Sequence, residues 1–238
     1  MFSLIALGSP VRGQQAFTGE SSSDTEASQV LDRYLAATQS AQNSLRGKSM
    51  EVQIDASLPK LKKAGTLRAL RSISQVGRVT YRMLGFNGDT TIKKDVIARY
   101  LTAEVQASGN GNDLGITPAN YKFKFKGEQN KDGLEVYVFQ LSPKRKDVGL
   151  FKGELWVDPA TYMPVKEAGK FVKNPSIFFK RMEFVRTYNI ENGIAIPLHI
   201  DSEIKTRIVG PVNLSINFIR TGQTDENQTS DATAGAVQ

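Results

Sequence analysis

At 238 residues, with no cysteine, one histidine and a formal net charge of +7, the chain has neither disulfides nor thiolate chemistry available to it. Its length suits a single large β domain, since barrels and sandwiches commonly run to about 200–250 residues, and no stretch approaches the roughly 18 consecutive apolar residues of a membrane-crossing helix. Between residues 27 and 220 there are 30 basic and 18 acidic side chains, a balance of +12. Such a surface attracts acidic partners: nucleic acid, anionic lipid, lipopolysaccharide or an acidic protein. The same lysines also suit the wet faces of exposed strands, and no basic-plus-aromatic motif of a nucleic-acid reader accompanies them.

Residues 1–16 begin with the apolar run Met1 to Gly8 and continue through small residues to Ala16. They read as a signal peptide truncated at its start, because the basic region that should precede the apolar run is missing; an ordinary buried N-terminus is the alternative. Lacking a cysteine to acylate, an exported form would be released rather than lipid-anchored. Residues 17–25, serine-rich and polar, read as a flexible leader. Ser23 and Glu26 then fit a capping box, and Val30, Leu31, Tyr34, Leu35, Thr38 and Ala41 recur at helical spacing, which predicts an amphipathic helix over 26–45.

Met50, Val52, Ile54 and Ala56 alternate with polar residues and predict a half-buried strand ending at Pro59. Two weaker strands, 65–74 and 77–86, carry Arg68, Arg71, Arg78 and Arg82 between apolar positions. Asp89 is placed as an N-cap for a second helix, whose single apolar face holds Ile92, Val96, Ile97, Tyr100, Leu101 and Val105. Residues 106–119 have turn composition and predict a loop of the length that is usually functional or mobile.

From there strands dominate. Tyr121, Phe123 and Phe125 alternate with Lys122, Lys124 and Lys126, and Asp132-Gly133 turns the chain into a strand over 135–141. The run Gly153-Glu154-Leu155-Trp156-Val157-Asp158-Pro159 is a strand stopped by a turn, resumed at Pro164-Val165-Lys166 as the second arm of a hairpin. Strands over 165–172, 178–190, 196–209 and 212–219 follow, and the apolar phase of the last two is Ile196, Leu198, Ile200, Ile204 and Ile208, then Val212, Leu214, Ile216 and Phe218. Residues 221–238 are too poor in apolar side chains to fold and read as a disordered tail. The folded domain is thus 26–220: mainly β, with about ten or eleven strands and two helices. A one-sided sheet of that width must curl or split, which gives an incomplete antiparallel barrel, or half-barrel, with the helices covering its open side.

Catalytic patterns are missing. His199 stands alone on the polar phase of a strand, and a zinc site normally needs three or four clustered ligands. Asp201 and Glu203 share a strand face, as exposed acids routinely do, and Gly109 to Gly111 lacks the lysine and helix start of a phosphate-cradling loop. No catalytic residue, metal or cofactor is expected.

The order of elements, with Gly153-Glu154-Leu155-Trp156-Val157-Asp158 through Thr161 and Pro164 at its centre, resembles the outer-membrane lipoprotein-sorting (LolA-like) carriers of Gram-negative bacteria, and among them the uncharacterised members. The resemblance implies an exported, periplasmic half-barrel that holds lipoprotein acyl chains or another lipid against its apolar inner surface beneath helical lids, touching the membrane surface transiently. The inner residues expected to meet the lipid are Met50, Val52, Ile54, Phe123, Phe125, Leu155, Leu214 and Phe218, with Ile97 and Leu101 beneath the lid; each also reads as plain core. A rival reading is an envelope sensor of the same fold, meeting a protein or anionic lipid through Lys144, Arg145, Lys146 and Lys152. A secreted enzyme is the third reading, and it requires acids converging in a cleft.

Overall fold

The structure is a computed structural model and describes residues 19–109, 114–174, 179–207 and 210–219. The putting together of the domain rests on one ten-stranded antiparallel sheet, β1 (Ser49–Leu58), β2 (Lys63–Ile73), β3 (Val79–Gly88), β4 (Tyr121–Lys131), β5 (Leu134–Pro143), β6 (Phe151–Val157), β7 (Pro164–Phe171), β8 (Phe179–Glu191), β9 (Ile194–Thr206) and β10 (Pro211–Ile219). In space the order is β3-β2-β1-β10-β9-β8-β7-β6-β5-β4, so β3 and β4 end the sheet without pairing and the barrel is unclosed. Every neighbour is also next in sequence except β1 and β10, which align Val52 with Phe218 and Ile54 with Ile216.

Local chemistry explains the turns. Asp132 and Gly133 both take positive φ (54° and 80°), as do Asn192 and Gly193 (51° and 72°), the left-handed pair that a two-residue hairpin needs. The β6–β7 turn is held by Asp158, whose Oδ2 accepts from the Thr161 amide (2.8 Å) and hydroxyl (2.6 Å).

Both helices lie against one face of the sheet, here the inner face. The first, α1 (Gly19–Leu45), buries Val30, Tyr34 and Ala41 along one stripe. It starts well before residue 26, so most of the stretch read as a flexible leader is helical. Asp24 and Glu26 give the early turns the acidic character that favours the N-terminal part of a helix, and no proline interrupts them. The second helical run opens as a π-helical turn (Ile92–Ile97) and continues as α2 (Ala98–Gly109). Ile92, Val96 and Ile97 of this turn all enter the core. Asp89 caps the run by accepting from the Thr91 amide at 2.7 Å. The predicted loop also shortens at its start, because α2 reaches Gly109: Ser108 Oγ donates to the Val105 carbonyl and accepts from the Val79 amide at 3.0 Å, stitching the last turn to β3. Residues 1–16, read as a signal peptide, and 221–238, read as a disordered tail, lie outside the described residues.

The inner face holds two main apolar clusters. Under α2, Val52, Ile54, Leu67, Ala69, Ile200, Ile204, Val212, Leu214 and Ile216 pack with Ile92, Val96 and Ile97. Under α1, Tyr121, Phe139, Leu141, Leu155, Val157 and Phe184 pack with Val30 and Tyr34. Leu198, assigned by alternation to the buried phase, is 51% exposed, beside the irregularity at Thr187 and Tyr188 that shifts the β8–β9 register. The lone tryptophan belongs to the outer face: Trp156 covers Val136 and Val138, with Lys166 Nζ 4.1 Å from its ring centre.

Candidate functional site

Between the two helices the inner face is not fully filled. Beneath α1 lies a chamber of about 230 Å³ roofed by Tyr34, Thr38, Ala41, Gln42 and Leu45. Its floor is aromatic: Phe184 meets Phe151 edge-on (4.9 Å between ring centres) and stacks on Phe171 (4.8 Å). This floor exists because β6 and β7 carry glycines where they face each other, at Gly153 and Gly169. A Cβ on Gly169 would meet Phe151 Cδ2 at 2.7 Å, so the missing side chain is what lets the ring lie down over the strand.

One wall of the chamber is charged. Glu167, 5% exposed, accepts from the Tyr188 hydroxyl (2.6 Å) and from Arg186 Nη1 (3.2 Å). Arg186 keeps 33% of its side chain accessible, but what it faces is the chamber. Burial works against its charge; Tyr188 and Glu167 outweigh that and hold the guanidinium firmly protonated. Burial, reinforced by Glu167, likewise keeps the Tyr188 and Tyr34 hydroxyls protonated, and burial pushes the Tyr121 hydroxyl up to about 12.

Thr38, Gln42, Leu114 and Ile116 also line a second, larger space of about 900 Å³ that reaches across to β2, β3 and α2. This mouth is mixed in character, with Leu35, Val76 and Val79 beside Gln39, Asn43, Arg46, Arg71 and Glu104. Here a second arginine–glutamate–tyrosine group bolts α2 down. Arg71 on β2 donates from Nη2 to Glu104 Oε1 (2.9 Å), and the Tyr81 hydroxyl on β3 donates to Oε2 (2.6 Å). Burial opposes ionisation of Glu104, but the Arg71 charge and the hydrogen bonds from Tyr81 and Arg71 prevail and lower its pKa.

A lowered folded-state pKa means that the bolt is whole above the ordinary glutamate value of about 4.3 and is lost as pH falls through the lowered one. Acidification is therefore expected to lower the protection of the amides over 98–109, measured as exchange relative to the intrinsic rate at each pH, with no change near neutral pH and a loss below about pH 4. In Arg71→Met, exchange should already be faster at neutral pH, and the acid-dependent step should shrink.

The residues singled out from sequence lie elsewhere on the inner face. Met50, Val52, Ile54, Ile97, Leu101, Leu214 and Phe218 gather in the cluster under α2, and Phe123, Phe125 and Leu155 in the cluster under α1. None of them lines the chamber or its mouth. The charged members of both walls, Arg71 and Arg186 with their partners, were not singled out. A signal existed: Leu67, Ala69, Arg71 and Met182, Phe184, Arg186 each put an arginine on the apolar phase of a strand.

The four basic residues divide. Lys144 donates to the Pro118 carbonyl, and Arg145 binds Asn120 Oδ1 (2.6 Å) and Asp147, so both fasten the β5–β6 turn to the 115–120 segment. Lys146 and Lys152 are exposed. His199 sits on the outer face, tied to Asn217 (2.7 Å) and Asp201 (2.9 Å). An open groove of about 710 Å³ crosses that outer face beside Asp55, Glu183, Asp201 and Glu203.

A family model described as an uncharacterized protein matches residues 110–207. No curated protein sequence matches the chain. Among solved structures, the chain is similar in fold to a LolA superfamily protein from Nitrosomonas europaea, with 13% identity, 82% of this chain and 91% of that one covered and a TM-score of 0.43. It is also similar to a DUF1329 family protein from Desulfovibrio piger, at 11% identity, 83% and 95% coverage and a TM-score of 0.45. A third likeness is to the MucA/MucB complex of Pseudomonas aeruginosa, at 10% identity, 80% and 93% coverage and a TM-score of 0.27.

Proposed function

We propose that this protein is a carrier of acylated molecules, of the lipoprotein-sorting type and working in the periplasm, which receives acyl chains on the inner face of its half-barrel. The observation that carries the reading is the chamber itself, an aromatic floor under a helical roof that leads to a wider, polar-rimmed mouth. Such a space suits an amphiphile, with hydrocarbon toward Phe151, Phe171 and Phe184 and the polar end toward Arg71 and Glu104. Export is proposed from the apolar run at Met1 to Gly8; among the described residues no helix is long and apolar enough to cross a membrane.

At about 230 Å³ the chamber falls below the roughly 300 Å³ at which small-molecule pockets begin. A whole chain therefore lies along the aromatic floor only as α1 lifts, which uncovers Phe123, Phe125 and Leu155. On the other side Ile97 and Leu101 move with α2 and bare Met50, Val52, Ile54, Leu214 and Phe218. In this reading the core residues of the closed form are the lipid contacts of the open one.

Filling the chamber tests the proposal. Thr38 lines both spaces, and Thr38→Trp is expected to weaken binding of a fluorescent fatty acid at least tenfold, as measured by titration, while circular dichroism stays that of the parent. Undiminished binding by the variant would sink the reading. The sensor alternative makes a different demand: its binding would fall steeply with salt and ignore acyl-chain length.

A further inference from the structure

Unpaired basic charge is concentrated on one side of the outer face of the sheet. Over β4 to β7 this face presents Lys122, Lys124, Lys126, Lys152 and Lys170, all exposed, and among the described residues none of them is in an ion pair. From β8 onward the same face carries Glu183, Asp201, Glu203 and Asp55 together with Arg181 and Lys205, so that acids and bases are mixed there.

The lysines of β4 have an ordinary explanation, because lysine on an edge strand discourages pairing with other chains. Lys152 and Lys170 do not share it. They stand on interior strands, directly opposite one another across β6 and β7, where facing like charges cost stability. Glu183, the neighbour of Lys170 on its other side, is taken by Arg181. A repulsion built into the middle of a sheet is relieved when anions are laid against it.

We infer that this lysine tract docks the protein on an anionic bilayer, with lipid phosphates against Lys122, Lys124, Lys126, Lys152 and Lys170. Strands about 4.8 Å apart spread the charges over a broad patch, not a line, and the tract holds lysine point charges without the arginine forks or stacking aromatics that nucleic acid favours. The mixed charges of β8 and β9 offer the same surface no comparable attraction, which favours the β4 to β7 side. Because β4 bounds the unclosed side of the sheet, docking sets that opening beside the membrane. The inference goes beyond the carrier reading and stands without it.

The test is sedimentation of the full chain with phosphatidylcholine vesicles, with or without phosphatidylglycerol, at low and high salt. Binding is expected only to the anionic vesicles and only at low salt. Each lysine removed should weaken it about fivefold, so Lys152→Gln with Lys170→Gln loses roughly 25-fold, while Lys146→Gln changes little. Unfolding of the double variant should come no earlier than the parent's, since a repulsion has been removed. Thr38→Trp should dock normally, which separates failure of docking from failure of the carrier reading. Equal binding to neutral vesicles, persistence at high salt, wild-type binding by the double variant, or tighter binding to a DNA duplex than to the vesicles would each overturn the inference.

Discussion

Tying α1 to the sheet with one engineered disulfide is expected to abolish fatty-acid uptake, and reduction is expected to restore it. Ala41 on α1 and Ala195 on β9 are both buried and belong to one small packed cluster, and the chain has no cysteine of its own, so Ala41→Cys with Ala195→Cys adds the only thiols present. The physical argument is one of volume and free energy together. An acyl chain of about fifteen methylenes gains ~12 kcal/mol on full burial, at ~0.8 kcal/mol each, far more than reversible carriage tolerates. The energy of opening the closed form must offset part of that gain. A roof that cannot lift leaves the chamber, which takes a fragment of a chain, and its polar-rimmed mouth, where hydrocarbon gains less. Titration with a fluorescent fatty acid before and after reductant reads the result; equal binding in the oxidised form means that α1 is no lid.

Gly153→Ala should be the most damaging small substitution in the sheet. Its Cβ would stand 1.9 Å from the Ala168 carbonyl oxygen and 2.6 Å from Gly169 Cα, all backbone, so no rotamer change relieves the clash. β6 and β7 would have to part, and the Phe151–Phe184–Phe171 floor would go with them. We expect a loss at or above the upper end of the ~1–3 kcal/mol usual for overpacking, which in a domain of this size lowers the melting temperature by about 6–12 °C. Gly85→Ala is the matched control. A Cβ there meets nothing within 4 Å, and its change should stay within about 0.5 kcal/mol. Similar melting temperatures for the two variants would contradict the steric account.

These two glycines also mark where reading the sequence stops. Alternation in Met50–Ala56 and Leu155–Val157 assigns side chains to faces, and the Asp132-Gly133 pair locates a hairpin, because a strand's period and a turn's backbone are local properties. That Gly153 lies against Gly169 is a fact of register between two strands. Whether an inner face is filled or hollow is further removed, since it depends on where α1 and α2 settle across many strands. Hence Val52, Ile54 and Leu155 are placed on the inner face by the pattern, and Thr38 on the apolar stripe of α1, while the chamber wall at Glu167 and Arg186 is not. The start of α1 eluded composition for a different reason: serine and acid read as loop until their value in the opening turns of a helix is weighed.

The pairing of β1 with β10 joins the first strand made to the last. Closing so large a loop is slow, so during synthesis β1, β2 and β3 have no sheet to join until almost the whole domain has emerged. Their apolar side and the helix that follows them wait in an unfinished state that a folding helper, or a pathway carrying unfolded chains, would encounter first.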